Sequence, residues 1–120
     1  MSTKTKLELA IHVLRDLGVI DASESPDETN DDVAWVIDQY EDKFQELASP
    51  GLELTYWSRD TIPSAVFGIL VDLISNDVAA TFGQPQSIPD KMQTEEIILT
   101  KLRRHVALPS SGLPVSADYF

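Results

Sequence analysis

The feature that most constrains this chain is the stretch from Pro63 to Phe82, which predicts a helix that is apolar around most of its circumference. Only Asp72 and Asp77 carry charge within it, and Gly83 follows it directly. A helix that is hydrophobic on nearly all sides is buried on nearly all sides. We therefore expect it to be the central helix of the domain or to be covered by other subunits, and we favour a combination of the two.

Membrane segments and cysteine chemistry are not expected in this chain. The strongly apolar part of the central stretch, Ala65–Ile74, is interrupted by Gly68 and Asp72, whereas a bilayer needs about 20 largely apolar residues in a row. The opening sequence MSTKTK is not followed by a long apolar run, so no signal peptide is predicted. The absence of cysteine excludes disulfides, zinc–thiolate sites and thiol catalysis.

A first helix is predicted over about Thr5–Leu17 and a fourth over about Pro89–Ala107. The first opens with a Thr-x-x-Glu capping box and is followed by Gly18. The apolar stripe of the fourth consists of Met92, Leu99, Leu102 and Val106, with Ile98 beside it. Each of these helices thus has one face for a shared core.

The second helix is predicted to begin at the capping box Ser25–Glu28, with Pro26 in the first helical position, and to end at Leu47 or Ala48. Its apolar face consists of Val33, Val36, Ile37, Tyr40, Phe44 and Leu47. Almost opposite lie Asp27, Asp31, Asp38 and Asp42. Trp35 falls among these acids, so it is either covered by a neighbouring loop or part of a subunit interface, where tryptophan is enriched.

The segment Gly51–Ile62 links the second and third helices. Apolar and polar residues alternate from Leu52 to Tyr56, which indicates a short strand or an extended loop, and Trp57 follows. A lone strand is not stable by itself. The segment must therefore pack on the helices or pair with another chain.

The last twelve residues, PSSGLPVSADYF, are rich in Pro, Gly and Ser and stop the helix before them. They are too few to form a core, yet they keep more apolar side chains than a disordered tail usually does. These side chains are Leu113, Val115, Tyr119 and Phe120. We interpret the segment as an extended arm that binds another protein. The predicted fold is all-α: a four-helix bundle-like domain over residues 1–108, with an extended loop or short strand between helices two and three, and an extended C-terminal arm over residues 109–120.

The charge of the chain is strongly acidic, with 20 Asp and Glu against nine Lys and Arg and a net charge of −11. Ten of the acids lie between Asp21 and Glu46, against a single cation, Lys43. Because binding to the outside of DNA needs clustered Lys and Arg, generic nucleic-acid binding is not expected. The acids form either a solvated helix face or a surface that repels nucleic acid or matches a basic partner.

Basic residues gather in the last two turns of the fourth helix: Lys101, Arg103, Arg104 and His105. They either interact with the helix dipole or form a basic collar that meets an acidic neighbour. Ile97 lies away from the apolar stripe, close to Lys101 and Arg104.

No catalytic, metal or cofactor site is predicted. His12 and His105 lie on different helices, and neither belongs to an H-E-x-x-H motif. The acidic run from Asp27 lacks the Gly and the Glu of a calcium loop, since Asp38 stands at the twelfth position. There is no glycine-rich phosphate loop and no G-x-S-x-G. A general acid needs a pocket that shifts its pKa, and none is indicated, so we predict that the chain is not an enzyme.

The order of the segments resembles the head-to-tail adaptor (head completion) proteins of tailed bacteriophages, in particular the tail accessory factors of short-tailed phages. The resemblance covers residues 3 to about 107. It rests on the opening TKTKLELAIHVLRDLGVID, on the acidic and aromatic DDVAWVIDQYEDKFQELASPGLELTYW, and on IPSAVFGILVDLISNDVAATFG, which follows a Pro and ends near a Phe-Gly.

This resemblance implies a non-enzymatic virion component. Such proteins form a ring beneath the portal protein, usually of twelve copies, which extends the DNA channel, helps to close the filled head and contacts tail or nozzle proteins. It implies no cofactor, no membrane and no specific nucleic acid as partner. The expected location is the head–tail junction of the virion, and the host cytoplasm during assembly. Adaptors commonly assemble only on the portal, so a monomer in solution is compatible with this interpretation.

The resemblance, together with the side chains that lie off the apolar faces of the helices, suggests roles for three sets of residues. The portal-binding set is Leu113, Val115, Tyr119, Phe120, Arg103 and Arg104. The subunit-interface set, which offers apolar groups away from the bundle face, is Trp35, Leu54, Tyr56, Trp57 and Ile97. The channel-facing set, whose negative charge keeps DNA from sticking, is Asp27, Asp31, Asp38 and Asp42.

An alternative function is that of an acidic DNA mimic, or another helical interaction protein, that binds a basic host or phage protein. The net charge and the acids opposite the apolar face of the second helix favour this alternative, which predicts a salt-sensitive complex. It gives no role to the apolar arm.

Overall fold

The computed structural model describes residues 2–107, which form a mostly helical domain. The four α-helices of this range are α1 (Lys6–Asp16), α2 (Asp31–Ala48), α3 (Ser64–Val78) and α4 (Ile88–Ala107). A 3-10 helix, Ala79–Phe82, continues α3, and two short strands are β1 (Thr3–Lys4) and β2 (Ile62–Pro63). The arm residues Leu113, Val115, Tyr119 and Phe120 lie outside the described residues.

Helix α1 begins where the sequence predicts. The Thr5 hydroxyl accepts a hydrogen bond from the Glu8 amide at 3.1 Å, and the Glu8 carboxylate accepts one from the Thr5 amide at 3.0 Å. The predicted capping box is therefore confirmed. It satisfies two of the backbone N–H groups that a helix start leaves free.

Helix α2 begins later than predicted. Its N-cap is Asn30, whose side chain accepts hydrogen bonds from the amides of Asp32 and Val33. The carboxylate of Asp27 instead accepts from the Thr29 amide at 3.0 Å, in a turn before the helix. The predicted Ser25–Glu28 capping box is wrong, because a local Asp turn competes with helix formation at this point.

Helix α3 packs against the other three helices, which confirms its predicted central position. Its buried side chains are Val66, Phe67, Leu70, Val71, Leu73, Ile74, Asn76 and Val78. The 3-10 helix after it ends at Gly83, whose φ of 84° lies in the left-handed region that glycine adopts most easily. The predicted end of this segment is thus confirmed.

The central segment is apolar over a continuous helical stretch. Over Ser64–Phe82 its mean hydropathy is 1.5, and by length and composition this is, within residues 2–107, the one helical stretch able to cross a membrane. The expectation that it is too short and broken for that is wrong. Half of the stretch is buried inside the domain, however, where α3 packs against the other three helices.

The segment that links α2 and α3 packs on the helices, which is one of the two predicted arrangements. Residues 51–61 form a loop with an isolated bridge between Ser58 and Thr61. Leu54 and Trp57 are buried in the core. The regular pairing follows the loop, where β2 runs antiparallel to β1 of the same chain.

Helix α4 joins the core through its C-terminal half. Ile98 and Leu102 are buried, and Leu99 and Val106 pack against the core, whereas Met92 is 64% exposed. The predicted place of Met92 in the apolar stripe is therefore wrong, and Ile98 lies at the centre of the contact. Polar contacts hold the first turns, since the side-chain amide of Asn76 donates to the Lys91 carbonyl oxygen at 3.2 Å.

Candidate interaction surfaces

Helix α2 presents an acidic flank to the solvent. Asp31, Asp38 and Asp42 are exposed, on the side of the helix opposite its buried residues. Asp27 precedes the helix, so the predicted stripe of four acids is reduced to three. The amide and hydroxyl of Thr29 donate to the Asp27 carboxylate and lower its pKa. That these acids face a channel stays a prediction.

Trp35 lies on the same flank, one helical turn from Asp31 and from Asp38. Its ring packs edge-on against Phe82, with the ring centroids 5.8 Å apart and an interplanar angle of 74°. The 3-10 helix of the same chain thus covers Trp35 in part. The indole remains partly exposed beside the acids.

Two members of the predicted subunit interface are instead buried in their own subunit. Leu54 is 6% exposed and Trp57 8%. The indole N–H of Trp57 donates to the Tyr40 hydroxyl at 3.3 Å, and that hydroxyl donates to the Arg59 carbonyl oxygen at 2.9 Å. The expectation that Leu54 and Trp57 are left for a neighbouring subunit is wrong, because the loop folds back onto α2.

Two further members of the predicted subunit-interface set have exposed side chains: Tyr56 in the loop is 54% exposed, and Ile97 on α4 is 52% exposed. Tyr56 is nevertheless held in place: its hydroxyl oxygen lies 2.7 Å from Nε2 of His105, and its ring packs edge-on against Trp57 with centroids 5.2 Å apart. An aromatic side chain that is already ordered loses little entropy when a partner covers it.

The basic residues of α4 divide into two groups. Arg103 pairs with Glu96 at 3.3 Å, and His105 contacts Tyr56. Lys101 and Arg104 are exposed, and no carboxylate within residues 2–107 lies at ion-pair distance from either of them. The predicted basic collar is thus reduced to two available cations.

An open groove of about 650 Å³ runs between α3, α4 and the end of α1. Its apolar lining comes from Leu17, Ala79, Pro85, Ile97 and Ile98. Its polar lining includes the charged side chains of Asp16, Asp72 and Lys101 and the side-chain amides of Asn76, Gln84 and Gln86. The hydroxyl of Ser75 is buried in its wall and has no hydrogen-bond partner among the described residues. The groove therefore offers apolar, amide and charged contacts side by side.

The sequence analysis missed an ion cluster around Lys43. The ammonium group lies 3.2 Å from carboxylates of Asp77 on α3 and Glu95 on α4, and 3.5 Å from Glu46. Burial works to lower the pKa of Lys43, but Asp77 and the two glutamates outweigh it and raise the pKa. Burial raises the pKa of Asp77, and Lys43 offsets this only in part. A lone Lys among ten acids, and an Asp in an apolar helix, were the signals for this cluster.

None of these groups makes a metal centre within the described range. There, no set of three or more His, Asp or Glu side chains is placed to hold a metal ion. The surfaces that remain are the acidic flank of α2, the exposed side of α4 and the groove beside it.

Fold and surfaces together define a small, acidic, mostly helical domain with exposed apolar and charged side chains. No protein-family model matches the chain, and no curated protein and no solved structure is significantly similar to it.

Proposed function

We propose that this protein is a structural virion protein, a head-to-tail adaptor whose copies form a ring beneath the portal, connect head to tail and extend the DNA channel. In this proposal the helices act as a four-helix bundle-like unit, and residues 109–120 act as an extended arm on the portal. The partners are the portal protein, further copies of the chain, and tail or nozzle proteins. It acts without a cofactor or catalysis.

The observation that carries the proposal is that one subunit exposes two different surfaces of opposite charge. The flank of α2 carries Asp31, Asp38 and Asp42, and the outer side of α4 carries Lys101 and Arg104. A ring needs two such surfaces, because each subunit contacts its two neighbours through different faces. The order of the helices along the chain, on which the resemblance rests, supports the same conclusion.

The arm supplies the proposed attachment to the portal. Leu113, Val115, Tyr119 and Phe120 offer four apolar anchors, and each contributes roughly 1–3 kcal/mol when it is fully buried. Several copies around a ring would add avidity to these single contacts. The net charge of −11 suits a channel wall, since DNA does not adhere to a surface of like charge.

Cosedimentation with the portal protein of the same genome tests this proposal. The full-length chain should sediment with portal particles, and the double variant Tyr119→Ser/Phe120→Ser should lose most of this binding. Ser110→Ala/Ser116→Ala, in the same segment, is the matched control and should bind as the unmodified chain does. Normal attachment of a chain that lacks residues 110–120 would exclude a role of the arm in portal binding. Failure of the unmodified chain to attach would exclude the adaptor function.

A second candidate is the acidic DNA mimic, and the exposed acids of α2 favour it. Asp31, Asp38 and Asp42 have no cationic partner within residues 2–107. This function predicts a salt-sensitive complex with a basic DNA-binding protein and competition with DNA for it. Binding to the portal, without inhibition of any DNA-binding enzyme from the same host, would decide for the adaptor.

A further inference from the structure

Two helices of this domain carry outward stripes that match in length and oppose in charge. On α2, partly exposed Trp35 is followed by exposed Asp38 and Asp42. On α4, exposed Ile97 is followed by exposed Lys101 and Arg104. We call the three-residue set on α2 the acidic stripe and the set on α4 the basic stripe.

The two stripes have the same length. Asp42 stands seven positions after Trp35, and Arg104 seven positions after Ile97; the middle residue comes after three positions on α2 and after four on α4. At 1.5 Å per residue, each stripe is about 10.5 Å long, and two helical turns keep its ends on one side of the helix. Each stripe thus begins with an apolar group and ends with a charge.

The charges of both stripes lack an ionic partner among the described residues. Within residues 2–107, none of the four charged side chains has an ion pair. Copies of a chain with a net charge of −11 repel one another in most orientations. A contact that places the basic stripe of one copy on the acidic stripe of another replaces this repulsion with attraction.

We propose that the basic stripe of one copy packs, with its helix parallel, on the acidic stripe of a second copy. Ile97 then lies against Trp35, Lys101 beside Asp38 and Arg104 beside Asp42. The inference rests on the proposed function, since it names the contact between neighbouring subunits. It moves Asp38 and Asp42 from the channel wall, and Arg104 from the portal, into the subunit interface.

The contact has a definite symmetry. The two stripes share no residue, so each copy uses one stripe toward one neighbour and the other stripe toward the next. Such head-to-tail contacts generate a closed ring or an open chain of subunits. The apolar pair supplies the desolvated contact, and the charges fix the register.

The natural absence of cysteine allows a clean cross-linking test. Gln39 and Thr100 are partly exposed and uncharged, and each lies beside its stripe: Gln39 four residues after Trp35, Thr100 three residues after Ile97. At 100° per residue they are rotated in opposite senses from their stripes, so in two parallel helices that face each other they lie on the same side of the contact. A mixture of Gln39→Cys and Thr100→Cys full-length chains should form the mixed disulfide under mild oxidation, which requires Cα atoms within about 7 Å.

Ala34→Cys is the matched control for register. Ala34 is exposed and uncharged, and it lies on the other side of the acidic stripe, five residues before Gln39. A mixture of Ala34→Cys and Thr100→Cys should give little mixed disulfide. Equal or higher yield with Ala34 would overturn the parallel register.

Charge reversal tests the pairing itself. Adding Lys101→Glu/Arg104→Glu to the Thr100→Cys chain should reduce the mixed disulfide about fivefold, and adding Asp38→Lys/Asp42→Lys to the Gln39→Cys chain should restore it. Raising the salt from about 0.1 M to about 1 M shortens the Debye length from about 10 Å to about 3 Å, so the yield should fall. The proposal is contradicted if the charge-reversed chain gives as much mixed disulfide as the unreversed chain, or if the second charge reversal does not restore the yield.

The reaction is run with and without portal particles, and portal attachment is measured on the same chains. Attachment without the preferred Gln39–Thr100 cross-link in either setting overturns the stripe contact and leaves the adaptor function standing. The preferred cross-link without attachment supports the stripe contact and removes the adaptor function.

Discussion

Lys43 and Asp77 form an ion pair that ties α2 to α3, with Nζ and Oδ2 3.2 Å apart and the Lys43 side chain only 11% exposed. Glu95 of α4 joins the same ammonium group at 3.2 Å. One cation thus connects three helices at a place where α4 contributes few apolar contacts. The cluster thus adds to the Asn76–Lys91 hydrogen bond in holding the first half of α4.

Replacing Lys43 by Met should destabilise the domain by about 2 kcal/mol, because Asp77 and Glu95 then lose their shared cation while remaining partly buried. Urea unfolding followed by circular dichroism measures the change. Glu46→Gln is the control: its carboxylate is 59% exposed and lies 3.5 Å from Lys43, so its loss should cost at most about 0.5 kcal/mol. Equal effects of the two substitutions would contradict a role for the cluster.

The raised pKa of Asp77 predicts a pH dependence that the Asn variant lacks. An acid whose pKa is higher in the folded state than in the unfolded state binds more protons when folded. Its stabilising contribution is full below the unfolded value, about 3.9, and is lost as the pH rises through the raised folded value. The free energy of unfolding of the natural chain, minus that of Asp77→Asn, should therefore increase as the pH falls from 7 towards 4. A difference that is flat or decreases over this range contradicts the assignment.

The hydroxyl of Tyr40 should matter more than that of Tyr56. Tyr40→Phe leaves the buried indole N–H of Trp57 and the Arg59 carbonyl oxygen without their partner, which costs about 1–3 kcal/mol. Tyr56→Phe breaks an exposed contact with His105 and should cost about 0.5 kcal/mol or less. Thermal unfolding with tryptophan fluorescence compares them, and a larger effect at Tyr56 would contradict the buried network.

The start of α2 can be tested with two alanine substitutions. Asn30→Ala removes the N-cap and should cost about 1 kcal/mol, within the usual range for a cap. Ser25→Ala, at the start that the sequence alone predicts, should change the free energy of unfolding by no more than about 0.5 kcal/mol. The opposite order of effects would mean that the helix begins at Ser25.

Helices with strong local signals could be predicted from the sequence. The Thr5–Glu8 capping box, Gly18 and Gly83 each determine backbone geometry within a few residues, and the structure agrees at all three. The apolar circumference of α3 likewise predicts its central position. At Ser25 the same logic failed, because the turn made by Asp27 uses the same residue types as a cap.

Contacts between distant parts of the chain could not be predicted. The alternation from Leu52 to Tyr56 gives no information on which side the loop folds, so Trp57 was expected to be exposed and is buried. The partners of Lys43 lie 34 and 52 residues further along the chain, beyond any helical periodicity. On the surface, residue type and helical spacing were sufficient to predict that the acids of α2 and Ile97 are exposed. The exposure of each of these side chains depends mainly on its position on its own helix.

Electron microscopy of the full-length chain mixed with portal particles tests the central claim most directly. The account predicts a closed ring of this protein beneath each portal, with α4 of every subunit packed on α2 of the next and density for residues 109–120 on the portal. Portals that remain bare at saturating protein, or single subunits bound without mutual contact, would contradict it.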